Sequence, residues 1–249
     1  MLRVRRGVYA TADACHRARE AARHGGPLAC VSAARHLGLW TLEPESEVHV
    51  WMGGGGHRHP HPSCVCVEHW DDAIRAKAFA HPSLPRVLRQ ILGCRGVESF
   101  FVAVESALRQ GRLTESALVW LRGNTNDAGR EAIEFARPDS DSGLESLLRW
   151  RLRRHGLTVQ TQVAVDGVGR IDFLIGDRLL VEVDGRANHE ETTVQPDGTS
   201  LRHKDLVRDA SAAAWDYATL RFDYALVVHD WDLVERAILA QVAARRHLR

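Results

Sequence analysis

Apolar and polar residues alternate most regularly at residues 169–185, GRIDFLIGDRLLVEVDG. Ile171, Phe173 and Ile175, then Leu179, Val181 and Val183, recur with the period of two that sets them on one face of a β-strand. The run predicts two short strands joined by a tight turn. Asp172, Glu182 and Asp184 then share the opposite face, provided the loop holds an odd number of residues. A two-residue turn at Gly176-Asp177 pairs Asp172 with Val181 and separates the acids. A three-residue loop, Gly176-Asp177-Arg178, sets Asp172 directly across from Glu182, and the spacing of the acids favours it.

Around this hairpin the pattern turns helical. Leu144, Leu147, Leu148 and Leu152 mark the buried stripe of a helix. Ser142 is its N-cap, with Glu145 three residues on in a capping-box pattern. Glu145 borders the stripe, so it serves either as a cap or leans toward the other carboxylates. Residues 158–165 read as a strand. After an irregular loop over 187–199 come a helix at 201–215, a strand at 217–222 and a closing helix at 232–246. The order predicts an α+β fold (α/β in the broad sense), an αβββαβα core with a mixed sheet.

Carboxylates that converge on one spot repel each other unless a cation lies between them. Hard oxygen ligands with room for water suit Mg²⁺ or Mn²⁺. Asp172, Glu182 and Asp184 are therefore candidates for the metal-binding floor of a hydrolytic site. The plainer alternative is an ordinary hairpin with its acids in solvent.

The ordered set Glu145, Asp172, Glu182-Val183-Asp184-Gly185 and His189 resembles the PD-(D/E)XK nuclease superfamily, and within it the very-short-patch-repair-like (Vsr-like) endonuclease domain. Asp205, Arg208, Asp209 and the strand carrying Arg221-Phe222 add to the resemblance, which covers residues 139–249. It implies a restriction-endonuclease-like core and metal-dependent cleavage of DNA. It further implies that Asp172 and Glu182 bind Mg²⁺ or Mn²⁺ with the backbone carbonyl of Val183. Glu145 becomes an auxiliary acid, and His189 acts on the attacking water or the scissile phosphate. Asp184 stands where most of the superfamily has lysine. Lys204 or Arg208, on the next helix, is then the candidate replacement, with Arg186 a further candidate phosphate contact. A non-catalytic antitoxin-like or regulatory module on a degenerate nuclease fold is the alternative function.

Residues 1–83 read as a small α+β region. Val4-Arg5-Arg6-Gly7-Val8-Tyr9 resembles the wing hairpin of a winged helix, as in AbiEi-like antitoxin proteins of type IV toxin–antitoxin systems. The resemblance implies a toxin–antitoxin partner protein. The chain starts at the wing, so sequence-specific duplex binding is expected to be weak. A helix is expected over 12–24 with Thr11 as its cap, and another from Pro27 to Leu37. Residues 47–52 and 64–68 read as strands. The glycine- and histidine-rich stretch between them, with His57, His59, His61, Cys64 and Cys66, offers zinc ligands in no familiar spacing. A loop of a strand–loop–strand hairpin accounts for the same residues. Residues 84–138 read as a helical connector, with helices at 84–92, 97–110, 114–121 and 127–136 and a boundary at 137–142.

Composition narrows the picture. A 45% hydrophobic content with 26% charged residues indicates a globular chain. No apolar run approaches the roughly 18 residues of a membrane helix, and no signal-peptide pattern opens the chain. Five cysteines without framework spacing suit a reducing cytoplasm. Residues 139–249 hold 15 Lys+Arg against 18 Asp+Glu, a net charge of −3. That balance weighs against tight DNA binding, although a bound cation offsets part of it. Arg149, Arg151, Arg153 and Arg154 form a local basic cluster, as do Arg202, Lys204 and Arg208.

Overall fold

The computed structural model describes residues 1–42, 44, 46–62, 64–71, 79, 82–185 and 201–249, with the side chains of 201–205 outside the description. Among the described residues the fold mixes helices with three sheets. The chain divides into two compact units, Met1–Pro138 and Asp139–Arg249. The division falls inside the 137–142 segment whose composition reads as a boundary. Among the described residues no helix is long and apolar enough to cross a membrane.

The first unit opens with an antiparallel hairpin, β1 (Leu2–Arg5) and β2 (Val8–Ala10). Helix α1 spans His16–His24 and α2 spans Cys30–His36. Both start later than the sequence suggests. Thr11 caps no helix; the Ala14 amide instead closes a turn onto the Thr11 carbonyl at 3.3 Å. Such short polar residues compete locally for backbone groups. Pro27 begins no helix either. Leu28 bridges to Val50, and the Trp51 amide donates to the Pro27 carbonyl at 2.9 Å. Satisfying that strand edge outweighs one more helical turn.

Strands β3 (Val48–Trp51) and β4 (Cys66–His69) pair in parallel, not as a hairpin. Parallel pairing needs a crossover of a dozen or more residues, which the glycine- and histidine-rich segment supplies. Helix α3 (Leu84–Arg109) is interrupted at Gly96, whose φ of 80° breaks the helix between the two segments expected there. Helices α4 (Glu115–Gly123) and α5 (Asp127–Phe135) follow. Thr114 and Asn126 cap them, accepting from the Ala117 and Gly129 amides at 3.2 and 2.9 Å.

The second unit follows the αβββαβα order: α6 (Gly143–Leu152), β5 (Val159–Val165), β6 (Gly169–Ile175), β7 (Leu179–Asp184), α7 (Leu201–Ala214), β8 (Ala218–Asp223) and α9 (Trp231–Ala243). A short α8 (Tyr224–His229), capped by the Asp223 side chain, precedes α9 in addition to the elements expected from the sequence. The sheet order is β5-β6-β7-β8, antiparallel through β7, with β8 parallel to β7. Helix α7 lies between β7 and β8 in the chain, as a parallel crossover requires.

Ile175 pairs with Leu179 and Phe173 with Val181, so the turn is the three-residue Gly176-Asp177-Arg178 loop. The same register carries Asp172 opposite Glu182. Ile171, Phe173, Ile175, Leu179, Val181 and Val183 are all buried. The acidic face is not a plain solvent face, because Leu180 on it is also buried and packs in a cluster with Ala212 of α7. β7 is thus buried on both sides up to Val183.

Candidate active site

Four side chains form a row across the sheet. In the register, Gln162 of β5 faces Asp172 of β6, which faces Glu182 of β7; Glu182 in turn pairs with Arg221 of β8. Equal parity on adjacent strands points all four to the same face. Glu145 reaches the row from α6 and Arg208 from α7. Six residues from six elements therefore meet over one patch of sheet.

Hydrogen bonds tie the patch together. The Gln162 amide nitrogen donates to Glu145 Oε2 at 2.7 Å and to Asp172 Oδ1 at 3.4 Å. The Val183 amide donates to Asp172 Oδ2 at 2.9 Å. Arg208 donates to Glu182 Oε1 at 2.8 Å, and Arg221 Nε lies 3.7 Å from Glu182 Oε2. Arg221 also pairs with Asp209 at 2.9 Å. The Ser142 hydroxyl accepts from the Glu145 amide at 3.2 Å, so the expected cap forms. The Glu145 carboxylate, however, accepts from the Asp141 amide at 2.9 Å rather than closing the box on Ser142. That leaves it pointing at Gln162.

Gln162 holds a left-handed backbone, φ 53°, in the middle of a strand. For a residue with a Cβ this costs on the order of 1–3 kcal/mol, and such outliers gather at functional sites.

Burial dominates the electrostatics. It pushes Asp172, Glu145 and Glu182 above the ordinary carboxylate range. The charge of Asp172 raises Glu145 and Glu182 further, and that of Asp184 raises Asp172 and Glu182; Arg208 and Arg221 pull Glu182 partly back. Charging such a cluster without a cation is costly. Asp172 and Glu182 are hard oxygen donors, side by side, which fits Mg²⁺ or Mn²⁺. Against that fit stand the two guanidinium groups on Glu182.

Of the sequence candidates, the structure brings Glu145, Asp172, Glu182 and Arg208 together. Asp184, at the end of β7, is exposed and pairs in register with Asp223. Val183 enters through its amide. Lys204 lies on α7, with its side chain outside the description; Arg186 and His189 lie outside the described residues altogether. Sequence reading missed the role of Gln162, whose only signal was its even spacing from Asp172. The basic cluster of α6 is consumed internally. Arg149 is buried, Arg151 donates to the Val227 carbonyl at 2.7 Å, Arg153 stacks on Trp150, and Arg154 pairs with Glu235 at 2.7 Å.

In the first unit two further clusters converge: His24, His61, Cys64 and Cys66, and Cys30, His49, His69 and Cys94. His57 and His59, named with the zinc candidates, are in neither and are exposed on the surface. The sequence pattern does not single out five of the eight clustered residues, His24, Cys30, His49, His69 and Cys94, because they lie on five different elements spread over 70 positions. Burial holds His49 down to about 3 and His69 to about 4, so both imidazoles are neutral at pH 7.

Comparison with protein-family models, curated proteins and solved structures finds no match for this chain.

Proposed function

We propose that the second unit is a divalent-metal-dependent DNA endonuclease similar to the Vsr-like branch of the PD-(D/E)XK superfamily. The observation that carries this reading is the Gln162–Asp172–Glu182–Arg221 row, joined by Glu145 and Arg208 over one face of the sheet. The αβββαβα order supports it. Asp172 and Glu182 would hold Mg²⁺ or Mn²⁺, which when bound supplies Lewis-acid neutralisation of the phosphate and a water of lowered pKa. Arg208 is the cation that stands in for the superfamily lysine. Released from Glu182, its planar guanidinium suits two phosphate oxygens at once. Gln162 fixes Asp172 and Glu145 relative to each other, and Glu145 orients the row from α6. His189 is assigned to the attacking water or the phosphate.

One observation favours a second reading. Both Glu182 oxygens face guanidinium groups, and Asp172 accepts from the Val183 amide and Gln162, so both candidate ligands have protein partners of their own. A non-catalytic DNA- or protein-binding module, in keeping with the antitoxin-like look of residues 1–83, is then the function.

Nicking of supercoiled plasmid, with and without added Mg²⁺ or Mn²⁺, separates the two. The nuclease reading expects metal-dependent nicking, reduced by about 10³-fold or more in Asp172→Ala and Glu182→Ala. His189→Ala should lose activity while keeping metal affinity. Asp184→Lys raises activity if this is a decayed lysine site and abolishes it if Asp184 is itself a ligand. Wild-type protein that neither nicks DNA nor binds Mg²⁺ or Mn²⁺ in calorimetry leaves the binding module.

A further inference from the structure

We propose that the first unit binds two structural zinc ions, one on each face of the β3–β4 pair, through His24, His61, Cys64 and Cys66 on one face and Cys30, His49, His69 and Cys94 on the other. In each set the four ligand atoms lie within 4.8 Å of one another. A tetrahedral Cys₂His₂ zinc site needs ligand atoms about 3.3–3.8 Å apart, given its bond lengths. Cys66 and His69 sit three residues apart on β4, so they point to opposite faces. His49 pairs with Val67 and so shares the face of His69. Two four-residue strands in parallel are marginal by themselves, and a metal clamp on each face supplies what their small apolar area does not.

The first site is the more finished. His24 places Nδ1 3.1 Å from Cys64 Sγ, while its Nε2 contacts Glu68 Oε1 at 2.9 Å. His61 Nδ1 lies 3.4 Å from the Pro62 carbonyl and 3.7 Å from Glu20 Oε2. Its Nε2 is buried and has no hydrogen-bond partner, on a side chain only 6% exposed. Each imidazole thus has one nitrogen held by a carboxylate or carbonyl and the other turned inward. This is the outer-shell arrangement that orients histidine on zinc. The soft thiolates with imidazole select zinc over the hard cations expected of the second unit.

The second site draws one ligand each from α2, β3, β4 and α3. His49 Nδ1 lies 2.8 Å from His69 Nε2 and 3.9 Å from Cys94 Sγ. The two imidazoles must part by about half an ångström to share a zinc ion. Cys30 adopts a left-handed φ of 48° at the start of α2, and its amide is held by Gln90 at 3.0 Å. Arg95 now donates to His49 Nε2 at 3.1 Å; Glu47, 4.0 Å from the same nitrogen, is the partner it has once zinc binds.

Zinc content of the full chain, expressed with zinc and purified without chelator, tests both sites. Elemental analysis is expected to find two zinc ions per chain. Cys64→Ser with Cys66→Ser should remove one, and Cys30→Ser with Cys94→Ser the other. Cys15→Ser, outside both clusters, should leave the ratio unchanged. A ratio of one that survives one of the double variants overturns the site that variant removed. If the variants do not fold, cobalt titration of the wild type decides. Intense thiolate-to-cobalt absorption saturating at two equivalents supports the proposal, and absence of that absorption overturns it. A Cys64–Cys66 or Cys30–Cys94 disulfide, found by intact mass in freshly purified protein, overturns the corresponding site.

Discussion

At the scale of single residues, the second unit concentrates three carboxylates whose charged forms the fold resists. Asp172 has an ordinary value of 3.8, and Glu145 and Glu182 of 4.5, and all three are raised in the fold. The folded state therefore keeps protons that the unfolded chain has already lost. Stability is fullest below the ordinary carboxylate values and falls as pH rises from there through the raised values. A divalent cation on Asp172 and Glu182 restores it, because it favours the charged form. The thermal midpoint gained on adding Mg²⁺ should thus grow as pH rises above the ordinary carboxylate values, and disappear in Asp172→Asn. A gain that is flat with pH, or persists in Asp172→Asn, places the ion elsewhere. Gln162 is the residue whose importance the geometry adds: its strained backbone and bridging amide join Glu145 to Asp172.

At the scale of elements, the register of β6 and β7 decides whether a site exists at all. One residue of slip would turn Asp172 away from Glu182 and bury it among Phe173's neighbours. Gly176 guards that register. Its φ is 63°, and a Cβ there would lie 2.2 Å from the His247 carbonyl oxygen. The same carbonyl accepts from the Asp177 amide at 2.7 Å. Gly176→Ala should cost about 2 kcal/mol or more, combining left-handed strain with a backbone clash. Urea denaturation of the full chain, wild type against variant, measures it. A loss below about 0.5 kcal/mol would mean that the loop relaxes freely. In the first unit the register of β3 against β4 does comparable work, because it sets His49 opposite Val67 and so on the same face as His69.

At the scale of the whole molecule, the two units have separate cores and, on the readings above, separate metal chemistry: borderline-soft zinc in one and a hard divalent ion in the other. Calorimetry of the full chain should resolve two transitions. A zinc-selective chelator should lower one of them, and Mg²⁺ should raise the other. A single transition that responds to both treatments would show the units to be energetically one. The charge balance agrees with this division. Residues 139–249 carry a net −3 within a chain of net +1, so the remaining 138 residues carry +4.

Local patterning was enough to reveal the strands of the second unit, its cap at Ser142, the caps at Thr114 and Asn126 in the first unit, the three-residue loop, and the shared face of Asp172 and Glu182. Those features depend on neighbours within a dozen positions, where strand parity and capping geometry act directly. The parallel pairing of β3 with β4 could not be read that way, because a hairpin and a crossover begin with the same two apolar runs. Nor could the internal use of the α6 arginines, since guanidinium groups stack, pair or solvate according to what lies opposite. The two His/Cys clusters show the difference most clearly. His24 meets Cys64, and Cys30 meets Cys94, only after the chain has crossed the sheet. Composition and spacing supplied the ligands, and long-range packing alone sorted them into sets of four.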